Sequence, residues 1–176
     1  MNIKQVFFGL LVFFAANFAQ AQKIGFIDSE YILSKIPEYG EAQKQLDALS
    51  EQWEKQVEKR YEEIDKMRQD YQAEEILLTE SMKNKRREDI IIKEQEARNF
   101  QKEKFGVDGE LFKKRKELVK PIQEKIYKAV QETANVGRYA VILDKAGEAT
   151  VVYSNPKYDK SDDVLRRMGY NPGEDR

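Results

Sequence analysis

Between Glu41 and Glu75 the chain has no Pro or Gly, and its apolar residues fall at Leu46, Leu49, Trp53, Val57, Tyr61, Ile64, Met67 and Tyr71. Their spacings of 3, 4, 4, 4, 3, 3 and 4 average about 3.6, the period of a helix with one apolar stripe. Nearly everything between them is Glu, Lys, Gln, Asp or Arg. One narrow stripe cannot make a core by itself, so the segment needs a neighbouring helix. The pattern breaks at Ile76-Leu77-Leu78, and Thr79 is placed to cap a return helix starting at Glu80. That second stretch runs to about Thr133, with apolar positions at Met82, Ile90, Ile91, Ala97, Phe100, Phe105, Leu111, Phe112, Leu118, Ile122, Ile126 and Val130. The pair reads as a long antiparallel helical hairpin over residues 41–135. Thirty-five residues at about 1.5 Å each give an arm of about 50 Å, longer than a small globular domain, so the hairpin is expected to project. Gly106 and Gly109 interrupt the return helix, read either as tolerated defects or as softness that lets the arm bend. Pro121 predicts a kink.

The pattern changes to that of strands at both ends. Lys23-Ile24-Gly25-Phe26-Ile27 is a short β-branched and aromatic run closed by Asp28-Ser29, good helix caps, and a short helix from Glu30 to Lys35 should stop before Pro37. Tyr39-Gly40 then marks a joint. After Asn135-Val136-Gly137, a helix stop, Tyr139–Asp144 and Ala149–Tyr153 read as two strands of a β-hairpin around Lys145-Ala146-Gly147-Glu148. Ser161-Asp162-Asp163 should cap a last short helix, and 171–176 should form a flexible tail. Two strands alone are marginal in water, so residues 23–27 are expected to complete the sheet. The fold class is therefore α+β: a small β-sheet body from 22–40 and 136–170, carrying a long helical hairpin arm. Three short strands leave edges and an apolar face uncovered, which oligomerisation would close. The candidates for that contact are Ile24, Phe26, Val141, Leu143, Val151 and Tyr153.

Residues 1–21 have a different character. Lys4 is their one charge, Val6–Ala16 is almost wholly apolar, and Ala19-Gln20-Ala21 has small residues where a signal peptidase reads them. This predicts a secretory leader cut before Gln22, because the apolar run is shorter than the roughly 20 residues of a membrane span. An exported, periplasmic chain follows. The Cys of a bacterial lipoprotein anchor is missing after the apolar run.

Composition narrows the chemistry. The 176 residues include 31 basic and 32 acidic residues but no His and no Cys. A zinc site, a Ser-His-Asp triad or a redox dithiol cannot be built from this set, and the reading is that the protein is not an enzyme and carries no cofactor. Losing Lys4 with the leader leaves 30 basic against 32 acidic residues, a balance that argues against bulk binding of nucleic acid. With mean hydropathy at -0.77 and 36% charged residues, an elongated helical protein fits better than a compact globule. Asp28 and Asp144 are read as a helix cap and a strand end rather than a catalytic pair. Lys83, Lys85, Arg86 and Arg87 are read as a solvated helix face.

The leader, the opening Lys23–Asp28, the charged hairpin, the closing Tyr139–Asp144 with Val151–Tyr153, and the Asp162-Asp163-Val164-Leu165 helix together resemble the OmpH/Skp family of periplasmic chaperones. Phe105–Phe112 followed by Pro121-Ile122 looks like the version found in Bacteroidetes-type bacteria. The resemblance implies a homotrimer in which strands form a barrel-like body and three arms enclose a cavity like tentacles. It implies an ATP-independent holdase that keeps unfolded outer-membrane proteins from aggregating. No nucleotide-binding Gly-rich loop is present, in keeping with that. Well-known members are strongly basic, whereas the pI here is near 5.8, so peripheral membrane or lipopolysaccharide contact through a basic patch is not carried over. Candidate client contacts are Tyr61, Tyr71, Ile76, Leu77, Leu78, Met82, Phe100 and Phe105, with Leu77 and Leu78 at the turn lacking an obvious packing partner. A structural coiled-coil envelope protein that docks one specific partner is the alternative.

Overall fold

The computed structural model describes residues 23–147 and 151–173. The leader and residues 148–150 and 174–176 lie outside the described residues. The elements are β1 (Lys23–Ile27), α1 (Ser29–Ser34), α2 (Pro37–Glu74), a 3-10 turn (Glu75–Leu77), α3 (Glu80–Phe105), α4 (Glu110–Gly137), β2 (Tyr139–Asp144), a second 3-10 turn (Pro156–Tyr158) and α5 (Ser161–Arg167). They form two compact units, one from the chain up to Lys35 and from Ile126 onward, the other Ile36–Lys125.

In the first unit β1 and β2 pair in parallel, with Ile24 beside Val141 and Phe26 beside Leu143. Parallel neighbours cannot be joined by a tight turn, which accounts for the long excursion between them. The other edge of β1 is taken by Asp159 and Lys160: Phe26 bridges to Asp159, and the Lys160 amide donates to the Phe26 carbonyl at 2.7 Å. The expected β-hairpin does not form. Val151–Tyr153 is not a strand, and Ala149-Thr150 lies outside the described residues. The Asp144 carboxylate accepts from Ala146 N at 3.1 Å, and Lys145 N donates to the Ile27 carbonyl at 2.8 Å, so the chain leaving β2 is tied to its own turn and to β1. A run of β-formers without a ladder partner stays irregular.

The first unit's packing centres on Ile32 of α1 and Val164 and Leu165 of α5, all fully buried. Asp28 caps α1 by accepting from Tyr31 N at 2.9 Å. Ser161 is the first residue of α5 rather than its cap, and Lys160 before it makes no side-chain cap bond; Asp159 Oδ1 accepts from Ser161 N at 2.9 Å, and its other oxygen meets Lys145 Nζ at 2.7 Å. Ser161 is freed for a different task. Its buried hydroxyl donates to Asp159 Oδ1 at 2.6 Å and accepts from Asp28 N at 2.9 Å, linking α5 to the end of β1. Part of the expected tail is held as well, since Pro172 is buried and its carbonyl accepts from Tyr31 Oη at 3.4 Å. At the end of α4 the left-handed residue is Arg138 (φ 52°), not a glycine. Gly137 is needed for another reason: a Cβ there would lie 2.2 Å from the Tyr139 ring.

In the second unit α2 begins at Pro37, earlier than Glu41, because proline at the first helical position loses only an amide that would be unpaired anyway. Gly40 lies within that first turn rather than at a joint. Thr79 caps α3 by accepting from Met82 N at 3.4 Å. The return helix expected to run to Thr133 is two helices. Gly106 and Gly109 are a built break: a Cβ on Gly106 would lie 2.4 Å from the Lys102 carbonyl, and one on Gly109 2.8–2.9 Å from three backbone atoms. Pro121 sits inside α4, which continues through it to Gly137.

Two stability measurements follow. Ser161→Ala leaves the Asp28 amide unpaired in a buried place and should cost about 1–3 kcal/mol in urea denaturation, whereas the exposed Ser34→Ala should change little. Asp163 of α5 is penalised by partial burial, but hydrogen bonds from Arg166 and Lys160 outweigh this and hold its carboxyl below the ordinary carboxylate range. A depressed folded value means its contribution is in place above the unfolded pKa of about 3.9 and is lost as pH falls through the folded value. Asp163→Asn should therefore flatten the acid limb of the thermal midpoint against pH.

Candidate functional site

The surface that could hold a polypeptide is what remains of the apolar side chains after the helical hairpin has closed on itself. Along the α2–α3 seam, Ile64, Ile90 and Ala97 form a buried cluster, with Met67 and Tyr71 packed against it. Nearer the start of α2, Trp53 meets Phe105 edge-on at 6.3 Å and 85°. The stripe drifts between these two contacts. Successive four-residue steps from Leu49 to Tyr61 each overshoot a full turn by about 40°, so Val57 is half-buried at the seam's edge and Tyr61 has rotated out to an exposed position. Arg60 takes that place, its guanidinium 3.9 Å from the centre of the Phe100 ring. Ion pairs flank the seam: Arg68 with Glu94 at 2.7 Å and Arg86 with Glu74 at 3.3 Å. The hydrogen bond from Arg68 holds the Glu94 carboxyl below its usual range.

The eight candidate contacts therefore divide. Tyr71 packs on the Ile64 cluster and donates to Glu75 Oε1 at 3.1 Å, while Phe100 and Phe105 are half-buried in the seam. Leu78 is also half-buried, and Tyr61 is exposed beside the seam. At the turn Ile76 and Leu77 are 94% and 85% exposed, and Met82 is 50% exposed. The 3-10 turn sets this up, because its three residues cannot all face inward. Other exposed apolar residues were not singled out from the pattern as contacts: Ile91 (61%), Ile92, Val107, Phe112 and Tyr127. The signal for two of them lies in the run Ile90-Ile91-Ile92. Consecutive helical residues point about 100° apart, so a helix with one partner can bury only one of the three, here Ile90.

On the sheet, the register sets Ile24, Phe26, Val141 and Leu143 on one face. Ile24, Val141 and Leu143 are exposed and Phe26 is half-buried. Val151 is half-buried and Tyr153 is 78% exposed, both outside the sheet, so the six residues proposed for self-association are not brought together as one strand set.

Of the remaining charged candidates, Asp28, Asp144, Lys83, Arg86 and Arg87 have partners within the chain. Asp28 accepts from Tyr31 N, and Asp144 Oδ1 accepts from Ser29 N at 3.0 Å as well as Ala146 N. In the basic cluster, Lys83 pairs with Glu80, Arg86 with Glu74, and Arg87 donates to Asn84. Among the described residues no group of acidic side chains is placed to hold a metal ion, and no helix is long and apolar enough to cross a membrane.

Residues 23–168 match the model of a family described as outer membrane protein (OmpH-like). The structure resembles the crystal structure of an OmpH-like outer membrane chaperone from Caulobacter crescentus CB15, with a TM-score of 0.66 and 12% sequence identity over 84% of this chain and 83% of that one. At that identity the likeness speaks for the fold. No curated protein matches the sequence.

Seam and surface residues should separate cleanly in unfolding experiments. Ile64→Ala should cost about 2–5 kcal/mol, while Ile76→Ser and Leu77→Ser should each stay within about 0.5 kcal/mol. A large loss at Ile76 or Leu77 would mean that these side chains support the fold.

Proposed function

The chain belongs to the OmpH-like family, and on that premise we propose that it is an ATP-independent holdase chaperone of the periplasm, exported by the leader at residues 1–21. Its clients are unfolded outer-membrane proteins, kept from aggregating in a cavity between the helical arms of a homotrimer. The observation that carries this reading is the exposure of Ile76 and Leu77 at the hairpin turn, on helices otherwise covered in charge. Apolar surface of this kind stabilises nothing within the chain. At about 25 cal/mol per Å² each side chain offers a contact that is weak alone and useful in number, and no nucleotide is needed to break it. Tyr61, Met82, Ile91 and Ile92 are further exposed apolar side chains along the hairpin. Tyr71, Phe100 and Phe105 act instead by shaping the seam. The Caulobacter crescentus neighbour is described as an outer membrane chaperone, which is consistent with the proposal.

Self-association belongs to the same reading. The face of Ile24, Phe26, Val141 and Leu143 lies between copies, and Val151–Tyr153 finds its ladder partner on another chain rather than its own.

Light scattering tests the activity. A urea-unfolded outer-membrane β-barrel protein is diluted into buffer without nucleotide, with or without the chain from Gln22. Aggregation should be suppressed near three chains per client, and Ile76→Ser/Leu77→Ser should weaken suppression severalfold without changing helicity. Lack of suppression by the folded wild-type chain would overturn the holdase and favour a structural envelope protein with one specific partner. Sedimentation equilibrium tests the assembly: a mass of one or two chains would remove the enclosed cavity.

A further inference from the structure

Lys104, the next-to-last residue of α3, spans the break that separates α3 from α4. Its ammonium lies 2.9 Å from Glu103 Oε1 and 2.8 Å from Glu110 Oε1, and Glu110 is the first residue of α4. The same nitrogen is 5.3 Å from the centres of both the Trp53 and Phe100 rings. Its side chain is 13% exposed, whereas most cations in the hairpin's other ion pairs are about half exposed or more. Surface ion pairs hold little because water competes for both partners. Here two aromatic faces and two carboxylates occupy the places water would take, and the attraction is correspondingly less screened. The hydrogen bonds that Lys104 donates to Glu110 and Glu103 raise its pKa, in agreement with the geometry.

Across the break itself the backbone is held by local bonds, Gly106 N to Lys102 O, Gly109 N to Gly106 O and Lys113 N to Gly109 O. Val107 at its apex is 88% exposed and packs on little. Lys104 thus joins three things that could otherwise move separately: the end of α3, the start of α4 and the α2 face at Trp53. We propose that Lys104 is a latch that holds the α3–α4 joint in one geometry, and that a competing carboxylate opens it by drawing the ammonium away from Glu110, whereas simple screening by salt does not. The inference goes beyond the chaperone reading and does not rest on it.

Because the chain has no cysteine and a single tryptophan, it can be labelled and read cleanly. Spin labels at Glu88→Cys and Lys116→Cys, on exposed positions of α3 and α4, report the joint by pulsed dipolar spectroscopy, with labelled full-length chain diluted into unlabelled chain to suppress distances between copies. The wild type should give one narrow distance distribution that stays narrow in 1 M NaCl and broadens in 1 M sodium acetate, which adds a competing carboxylate at the same ionic strength. Lys104→Met keeps an unbranched side chain of similar length and removes the charge, and Glu110→Gln weakens only the α4 anchor. Both should broaden the distribution in the absence of acetate and abolish its acetate response, with a shift in Trp53 emission for Lys104→Met. Lys104→Arg should restore the narrow distribution. Unchanged distributions in both variants, with wild-type helicity, would overturn the latch and leave the glycine turn alone as the determinant of the joint. If Lys104→Met loses helicity, Glu110→Gln decides the question by the same two outcomes.

Discussion

A helix with one narrow apolar stripe can bury it against one neighbour and no more, and the second unit follows from that restriction. The stripe of α2 is closed by α3 around Ile64, Ile90 and Ala97. Because so little apolar surface is available, the seam cannot be sealed by burial along its whole length. Where the stripe rotates off, the structure substitutes a cation stacked on a ring, Arg60 on Phe100, for a buried aliphatic side chain. Such contacts tolerate water at their edges, and so a charged hairpin can stay folded without a thick core.

The first unit meets a different restriction, that of a sheet too small to stand alone. Two parallel strands provide few ladder bonds, and β1 gains a second neighbour from Asp159 and Lys160 rather than from a true third strand. The network of Asp28, Ser161, Asp159 and Lys145 then fixes the end of β1, the start of α5 and the turn after β2 to one another with side-chain atoms. Polar bonds here do the positioning that a larger core would do in a bigger domain.

The helical period from Leu46 to Tyr71 was legible because only one seam is buried, so burial and pattern share one frequency. Thr79 as a cap was legible for a local reason, its hydroxyl reaching an amide three residues on. What could not be read depended on distant partners. Nothing local distinguishes Val151–Tyr153 from a strand, and what it lacks is a ladder partner, which no local signal reports: the chain leaving β2 is bonded through Ala146 N to Asp144 and through Lys145 N to Ile27. Likewise Ser161 has the composition of a cap, but its hydroxyl is claimed by an amide 133 residues away. For the candidate contacts, residue type identified sticky side chains without separating seam from surface: Tyr71 and Phe105 close the hairpin, and Ile76 and Leu77 do not.

The glycines show how the same residue can mislead in the direction of softness. Read from propensity alone, Gly106 and Gly109 loosen a helix. Neither adopts a positive φ, so conformational freedom is not what they supply. They supply space, letting the turn press against the Lys102, Glu103 and Lys104 carbonyls at distances no Cβ would permit. A close-packed turn narrows the geometries open to the joint, where a flexible linker would widen them. Any movement at this joint must then come from contacts that can be released without breaking that packing, and side-chain ion pairs are such contacts, whereas a turn built on steric fit is not.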